Sequence, residues 1–170
     1  RGGFASANFN LNGSKGGAYI KEAGVGVDVN FMVCKNWAIG GFAGYDYSGA
    51  TEGVKVNTVT AGPIATYFLS LGKGFYYSPR VAAGFAYGNT KIETTAGDGK
   101  VNSYGFLVNV SPVNFEFRPA KRWGINFSFA NIYFNYMSSK GTEDDAVSVS
   151  THGLSADLLR NAGLGLRYYF

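Results

Sequence analysis

Residues 19–33 read Tyr19-Ile20-Lys21-Glu22-Ala23-Gly24-Val25-Gly26-Val27-Asp28-Val29-Asn30-Phe31-Met32-Val33. Odd positions from Ala23 to Val33 are apolar, while the even positions Glu22, Gly24, Gly26, Asp28 and Asn30 are polar or tiny. A period of two is the signature of a strand with unlike faces, because successive side chains point to opposite sides of a sheet. The final stretch repeats the pattern, with Ala162, Leu164, Leu166, Tyr168 and Phe170 set against Asn161, Gly163, Gly165, Arg167 and Tyr169.

The same alternation runs through Ile39 to Tyr47 and Phe75 to Tyr87, and less cleanly through Thr58 to Leu69, where Ile64 and Phe68 fall on the polar parity. Val108 and Val110 are out of step with Val113, Phe115 and Phe117, which predicts a bulge near Ser111-Pro112, where a missing N–H is tolerated. A similar slip is expected near Ala130-Asn131. No segment carries a helical period of convincing length.

The connections alternate in length. Short ones are expected at Cys34 to Asn36, Gly72 to Gly74 and Arg118 to Arg122, and long polar ones near Asn12 to Gly17, Ser48 to Lys55, Thr90 to Val101 and Ser138 to His152. Seven connections imply eight strands, with both termini on the short-turn side. The expected fold is all-β, an eight-stranded antiparallel up-and-down transmembrane β-barrel forming a single domain over 1–170.

Composition decides which face points outward. Charged residues make up 15% of the 170-residue chain and there are 25 glycines, against ordinary usage near ~25% charged and ~7% Gly. A soluble barrel needs an exterior of roughly 25–35% charged residues; the polar parity here is mostly Gly, Asn, Ser, Thr and Ala, which suits a crowded lumen. Every apolar run is too short for a membrane helix, but alternating strands cross a bilayer with a mean hydropathy close to zero.

Asp28, Asp46, Arg80, Glu116 and Arg167 all fall on the polar parity and are expected to form a lumen ionic network. Eight strands leave an interior just wide enough to be filled by side chains, so no general pore is expected. Trp37, Tyr45, Tyr77, Trp123 and Tyr133 suit aromatic girdles at the headgroup level, as do Tyr47, Phe75 and Tyr136.

The terminal Leu166-Arg167-Tyr168-Tyr169-Phe170 resembles the C-terminal signal of bacterial outer-membrane proteins, which implies that Leu166, Tyr168 and Phe170 are read by the outer-membrane assembly machinery. Gly62-Pro63-Ile64-Ala65-Thr66-Tyr67-Phe68 and Lys35-Asn36-Trp37-Ala38-Ile39-Gly40 resemble the small eight-stranded outer-membrane barrel family of the OmpA/OmpX-like kind. That resemblance implies integral location in the bacterial outer membrane with both termini periplasmic. It implies little about activity; the periplasmic peptidoglycan-binding domain of OmpA proper has no counterpart after Phe170.

The chain holds one cysteine, Cys34, and one histidine, so neither an internal disulfide nor a Cys-clustered metal site is expected. The net charge of +4 comes from scattered basic residues, only Lys121-Arg122 being adjacent, which argues against nucleic acid. No charged-then-apolar leader precedes Phe4.

His152 stands among hydroxyls, with Asp157 as a carboxylate able to orient it. Some small barrels deacylate or acylate lipid A, but the deacylase pattern has Ser two residues after His, and here Ser155 follows by three. Glu143-Asp144-Asp145 reads as a solvated loop tip rather than a divalent-cation site, and Gly13 to Gly17 lacks the spacing of a phosphate loop. No enzyme activity, cofactor or metal is expected.

The favoured role is structural or interactive, through four long extracellular loops, with outer-membrane lipid, lipopolysaccharide and an envelope or surface protein as partners. The alternatives are a narrow conduit for a small hydrophobic molecule of the OmpW-like type, using Phe42, Ile64, Phe68 and Phe134, or a lipid A-modifying enzyme.

Overall fold

The computed structural model describes residues 2–13, 21–49, 54–94, 97–141 and 148–170. Ten strand segments carry the chain: β1 (Gly3–Gly13), β2 (Lys21–Met32), β3 (Trp37–Gly49), β4 (Val54–Tyr67), β5 (Leu69–Gly72), β6 (Phe75–Tyr77), β7 (Arg80–Thr94), β8 (Gly97–Ala120), β9 (Trp123–Gly141) and β10 (Ser148–Tyr169). β4 and β5 are parted only by Phe68, and β6 and β7 only by Ser78-Pro79, so the ten segments form eight wall strands. The wall stays bonded at these breaks: Tyr67 N–H donates to the Pro79 carbonyl at 3.0 Å, and Ser78 N–H to that of Asn114 at 2.7 Å.

Each wall strand pairs antiparallel with its neighbours in the chain. The first and last meet from Phe4↔Tyr169 to Phe9↔Leu164, so the sheet closes on itself. Closure leaves no edge strand among the described residues, the condition for placing a sheet where no water can satisfy its backbone.

The inside is polar and the outside apolar. Among the described residues the buried side chains include Asp28, Asn30, Asn114, Glu116, Asn126 and Arg167, while Val27, Phe85, Leu154 and Leu164 are among the large hydrophobics exposed. The bulge expected at Ser111-Pro112 is a register shift between Val110 and Val113. In the facing strand Ala130 pairs with Val113 and Ser128 with Asn114, leaving Phe129 as an extra residue.

Those slips reverse which parity of β9 faces outward. Asn126 is buried and Ser128 borders the interior, whereas Ile132 and Tyr136, on the same even parity, are exposed. Tyr133 therefore borders the lumen instead of joining a girdle, and Phe134 faces outward, its ring 5.9 Å from Phe106. Period-two counting from the start of β9 misplaces both, because one inserted residue inverts every side chain beyond it.

The short turns match the sequence reading: 33–36, 73–74 and 121–122 lie on the rim that also holds both termini. Gly72, Lys73 and Gly74 all have positive φ, at 94°, 49° and 79°. That explains glycine on either side of the lysine.

Two of the four long connections are mostly paired strand. β7 and β8 remain in register out to Thr94↔Gly97, and β9 and β10 out to Lys140↔Ser148. Thr90, Ile92 and Thr94 on one side and Val101 on the other are β-formers that carry the ladder on once it has begun. A strand needs ~9–11 residues to cross a bilayer; β8, β9 and β10, at 24, 19 and 22 residues, run well beyond that on the long-loop side.

Candidate functional site

The lumen is built in tiers. At the terminal rim Phe4, Ala38 and Phe68 form a buried apolar cluster, with Tyr76 and Tyr169 packed against it. The Phe4 and Phe68 rings meet edge-on at 5.7 Å.

Above this cluster, and forming a plug with it, Glu116 gathers three donors. Arg118 Nε lies 2.8 Å from Oε1, Tyr169 OH 2.5 Å from Oε1, and Arg167 Nη1 2.5 Å from Oε2. The Arg118 guanidinium lies between the rings of Tyr76 and Tyr169, 4.0 and 4.2 Å from their centroids. Arg167 sits 4.8 Å from the centroid of Phe4. Glu116 and Arg167 are both fully buried. A buried charge is tolerated when paired and hydrogen-bonded, and aromatic faces add attraction for the guanidinium groups.

The next tier centres on Asp28. Ser6 Oγ donates to Oδ2 at 2.6 Å, Asn8 Nδ2 to Oδ1 at 3.0 Å, and Asn30 Nδ2 also donates to Oδ2. Arg80 Nη2 approaches Oδ1 at 3.6 Å. Asn126 Nδ2 donates to Asn8 Oδ1 at 3.1 Å, and Ser111 Oγ to Asn131 Oδ1 at 2.6 Å, extending the network around the wall.

Beyond this floor the lumen opens into a cavity of about 460 Å³, bordered by Asp28, Arg80, Asn126, Asp46, Tyr133 and Ser155 among others. All five charged residues expected in the lumen are inside it: Glu116 and Arg167 in the plug, Asp28 and Arg80 at the cavity floor, and Asp46 at the cavity wall.

The outward aromatics form two belts. Trp37 with Tyr67, Trp123 with Tyr168, and Tyr77 with Phe115 make ring contacts toward the terminal rim. Tyr45 faces outward near the long-loop side and donates its OH to Asn57 Oδ1 at 2.6 Å. Leu166, Tyr168 and Phe170 are all exposed on the outer wall.

The apolar residues that would mark a hydrophobic conduit are scattered. Phe42 borders the cavity, Ile64 is buried, Phe68 belongs to the terminal cluster and Phe134 faces outward. His152 is exposed and pairs with the outward Tyr136, whereas Ser155 borders the lumen, so the strand puts them on opposite faces. The side chain of Asp157 and the runs Glu143 to Asp145 and Ser14 to Gly17 lie outside the described residues. Among the described residues no cluster of His, Cys, Asp or Glu suits a metal ion.

Sequence parity found the charges but not the aromatic lid on them. Arg118 was read as the start of a short connection, whereas β8 runs on to Ala120 and keeps it on the lumen parity of Glu116; Tyr169 was visible on the polar parity of the last strand.

Comparison with solved structures fits this geometry. A major outer membrane protein from Thermus thermophilus superposes with a TM-score of 0.64 at 10% identity, over 100% of both chains. This is the fold of an outer-membrane β-barrel. Two further outer-membrane barrels align less closely: Ail, the attachment invasion locus protein of Yersinia pestis, at TM-score 0.49 and 15% identity, and Neisserial surface protein A at 0.47 and 11%, each over 99% of this chain and 96% of its own. No family model matches the sequence, and no curated protein matches it either. The outer-membrane barrel assignment therefore rests on shape and on the inverted interior.

Proposed function

We propose that the chain is an integral barrel of the bacterial outer membrane with a closed lumen, termini in the periplasm, and a structural or surface-interaction role carried by its long-loop side. The observation that carries this reading is the plug. Glu116, Arg118, Arg167 and Tyr169 are locked together below the cavity, and Phe4 and Phe68 fill the remaining cross-section. A lumen closed by desolvated ion pairs and rings supplies anchorage and rigidity, with no path for bulk solute. The exterior, apolar between two aromatic belts, is what a bilayer requires. The exposed Leu166, Tyr168 and Phe170 suit recognition by the assembly machinery during insertion.

Purified protein in a planar bilayer is expected to give no steady ion conductance; stable unitary steps would overturn the closed lumen. Cys34, the only cysteine, is exposed in the turn between β2 and β3. A membrane-impermeant maleimide applied to whole cells is expected to label Cys34 only after the outer membrane is permeabilised. Labelling on intact cells would reverse the orientation.

A further inference from the structure

Three rungs of the outer wall stack in register near the long-loop rim. The first is Val59↔Tyr87↔Tyr104, the second Asn57↔Asn89↔Asn102, and the third Lys55↔Lys91↔Lys100, each rung crossing β4, β7 and β8. Lys140 of β9 stands opposite Asn102, diagonal to Lys100. The four lysines are exposed.

Around and below the first rung an outward groove of about 540 Å³ is walled by Val59, Ala61, Phe85, Tyr104, Phe106 and Tyr136, within the ~300–1,000 Å³ usual for a small-ligand site. The middle rung is cross-linked: Asn89 Nδ2 donates to Asn102 Oδ1 at 2.8 Å, and Tyr87 OH to the same oxygen at 3.3 Å.

Moving outward along these strands, the wall therefore changes from apolar groove to amide row to ammonium row. Rungs two residues apart are ~7 Å apart along a strand, so the lysines, two rungs beyond the tyrosines, lie ~13 Å farther along the tilted strands. A phosphate bridging two ammonium groups accepts charge-assisted hydrogen bonds from both. Farther from the groove the register pairs Glu93 with Asp98.

We propose that this face of β4, β7, β8 and β9 is a binding site for a phosphate-bearing anionic lipid of the adjacent leaflet, an acyl chain in the groove and its headgroup phosphates on the lysine row. Charge complementarity, with apolar volume below the amide row on the same strands, selects this occupant over a protein partner. The site rests on the membrane-embedded reading above.

The test uses the folded chain in phosphatidylcholine nanodiscs doped with lipid A, with native mass spectrometry after transfer to detergent counting the lipid retained. Wild type is expected to keep lipid A in preference to phosphatidylcholine. K91Q/K100Q is expected to bind it about thirtyfold more weakly, the weight of two lysines near an anionic surface. K91R/K100R and the terminal-rim control K121Q/R122Q are expected to behave as wild type.

A61W, which fills the groove without touching a charge, provides a second route and is also expected to lose lipid A. Gel mobility before and after heating checks the fold of each variant. Retention by K91Q/K100Q or A61W equal to wild type overturns the site, as does displacement of lipid A by equimolar inorganic pyrophosphate. Failure of the wild type to enter nanodiscs at all would instead sink the membrane reading.

Discussion

Arg167 donates to Glu116 over the intervening strand β9, from the last wall strand to the sixth, 51 residues earlier, with both side chains fully buried. The pair ties the closing strand to its second neighbour in the wall. It stands where Arg118 and Tyr169 also converge, so the carboxylate is the shared acceptor of the whole plug.

Removing one member of such a pair leaves a buried charge without its partner, at a cost of about 3–5 kcal/mol. Glu116→Gln and Arg167→Met are each expected to lower stability by that amount in reversible urea unfolding from phospholipid vesicles. The double variant is expected to lose less than the sum, since the charge that each single substitution strands is removed. Additive losses would mean that the two groups do not act as a unit.

Gly124 packs against the Glu116 carboxyl so closely that an added Cβ would overlap Oε1 and come within 3.1 Å of Cδ. Three donors hold that carboxylate, so it cannot simply swing aside. Gly124→Ala is expected to cost about 1–3 kcal/mol. Gly26→Ala, whose Cβ would meet the Ala43 carbonyl at an ordinary 3.7 Å, is expected to stay within about 0.5 kcal/mol of wild type. The same unfolding series checks both.

The inverted parity of β9 makes neighbouring substitutions unequal. Tyr133→Lys would put an ammonium into the aqueous cavity that Asp46 also borders, whereas Phe134→Lys would put one on the outer wall. Phe134→Lys is expected to be the more destabilising by at least about 1 kcal/mol. Equal losses, or the reverse order, would restore Tyr133 to the girdle.

Val27 lies mid-strand on the outer face and is exposed. Val27→Lys is expected to cost about 2–4 kcal/mol in a bilayer, while Phe31→Lys, nearer the terminal rim, is expected to cost about 0–1 kcal/mol. Unfolding free energies compared in vesicles test that depth dependence. A wall facing water would give small values at both positions.

Much of the barrel was legible because strand parity is a local property. From Ala23 to Val33 each residue declares its face by its own chemistry, and Asp28, Glu116 and Arg167 could be assigned to the interior without knowing their partners. Ser111-Pro112 announced its bulge through a proline and a broken apolar rhythm. A slip in β9 was legible near Ala130-Asn131 and the extra residue is the adjacent Phe129, but Tyr133 and Phe134 were assigned to the faces they would have without it and so exchanged places. The polar segment Thr90 to Val101 read as loop because hydrophilic residues on both faces erase the period that marks a strand half-immersed in apolar surroundings.

By itself, the sequence determined that the chain forms a closed sheet with its greasy side outward, because each strand crossing a bilayer must alternate and every backbone group there must be paired within the sheet. Only the tertiary structure decided which residues meet. The triad on Glu116, the rings around Arg118 and the row Lys55, Lys91 and Lys100 depend on register between strands, and register is set by pairing and bulges summed over the whole wall rather than by any one strand.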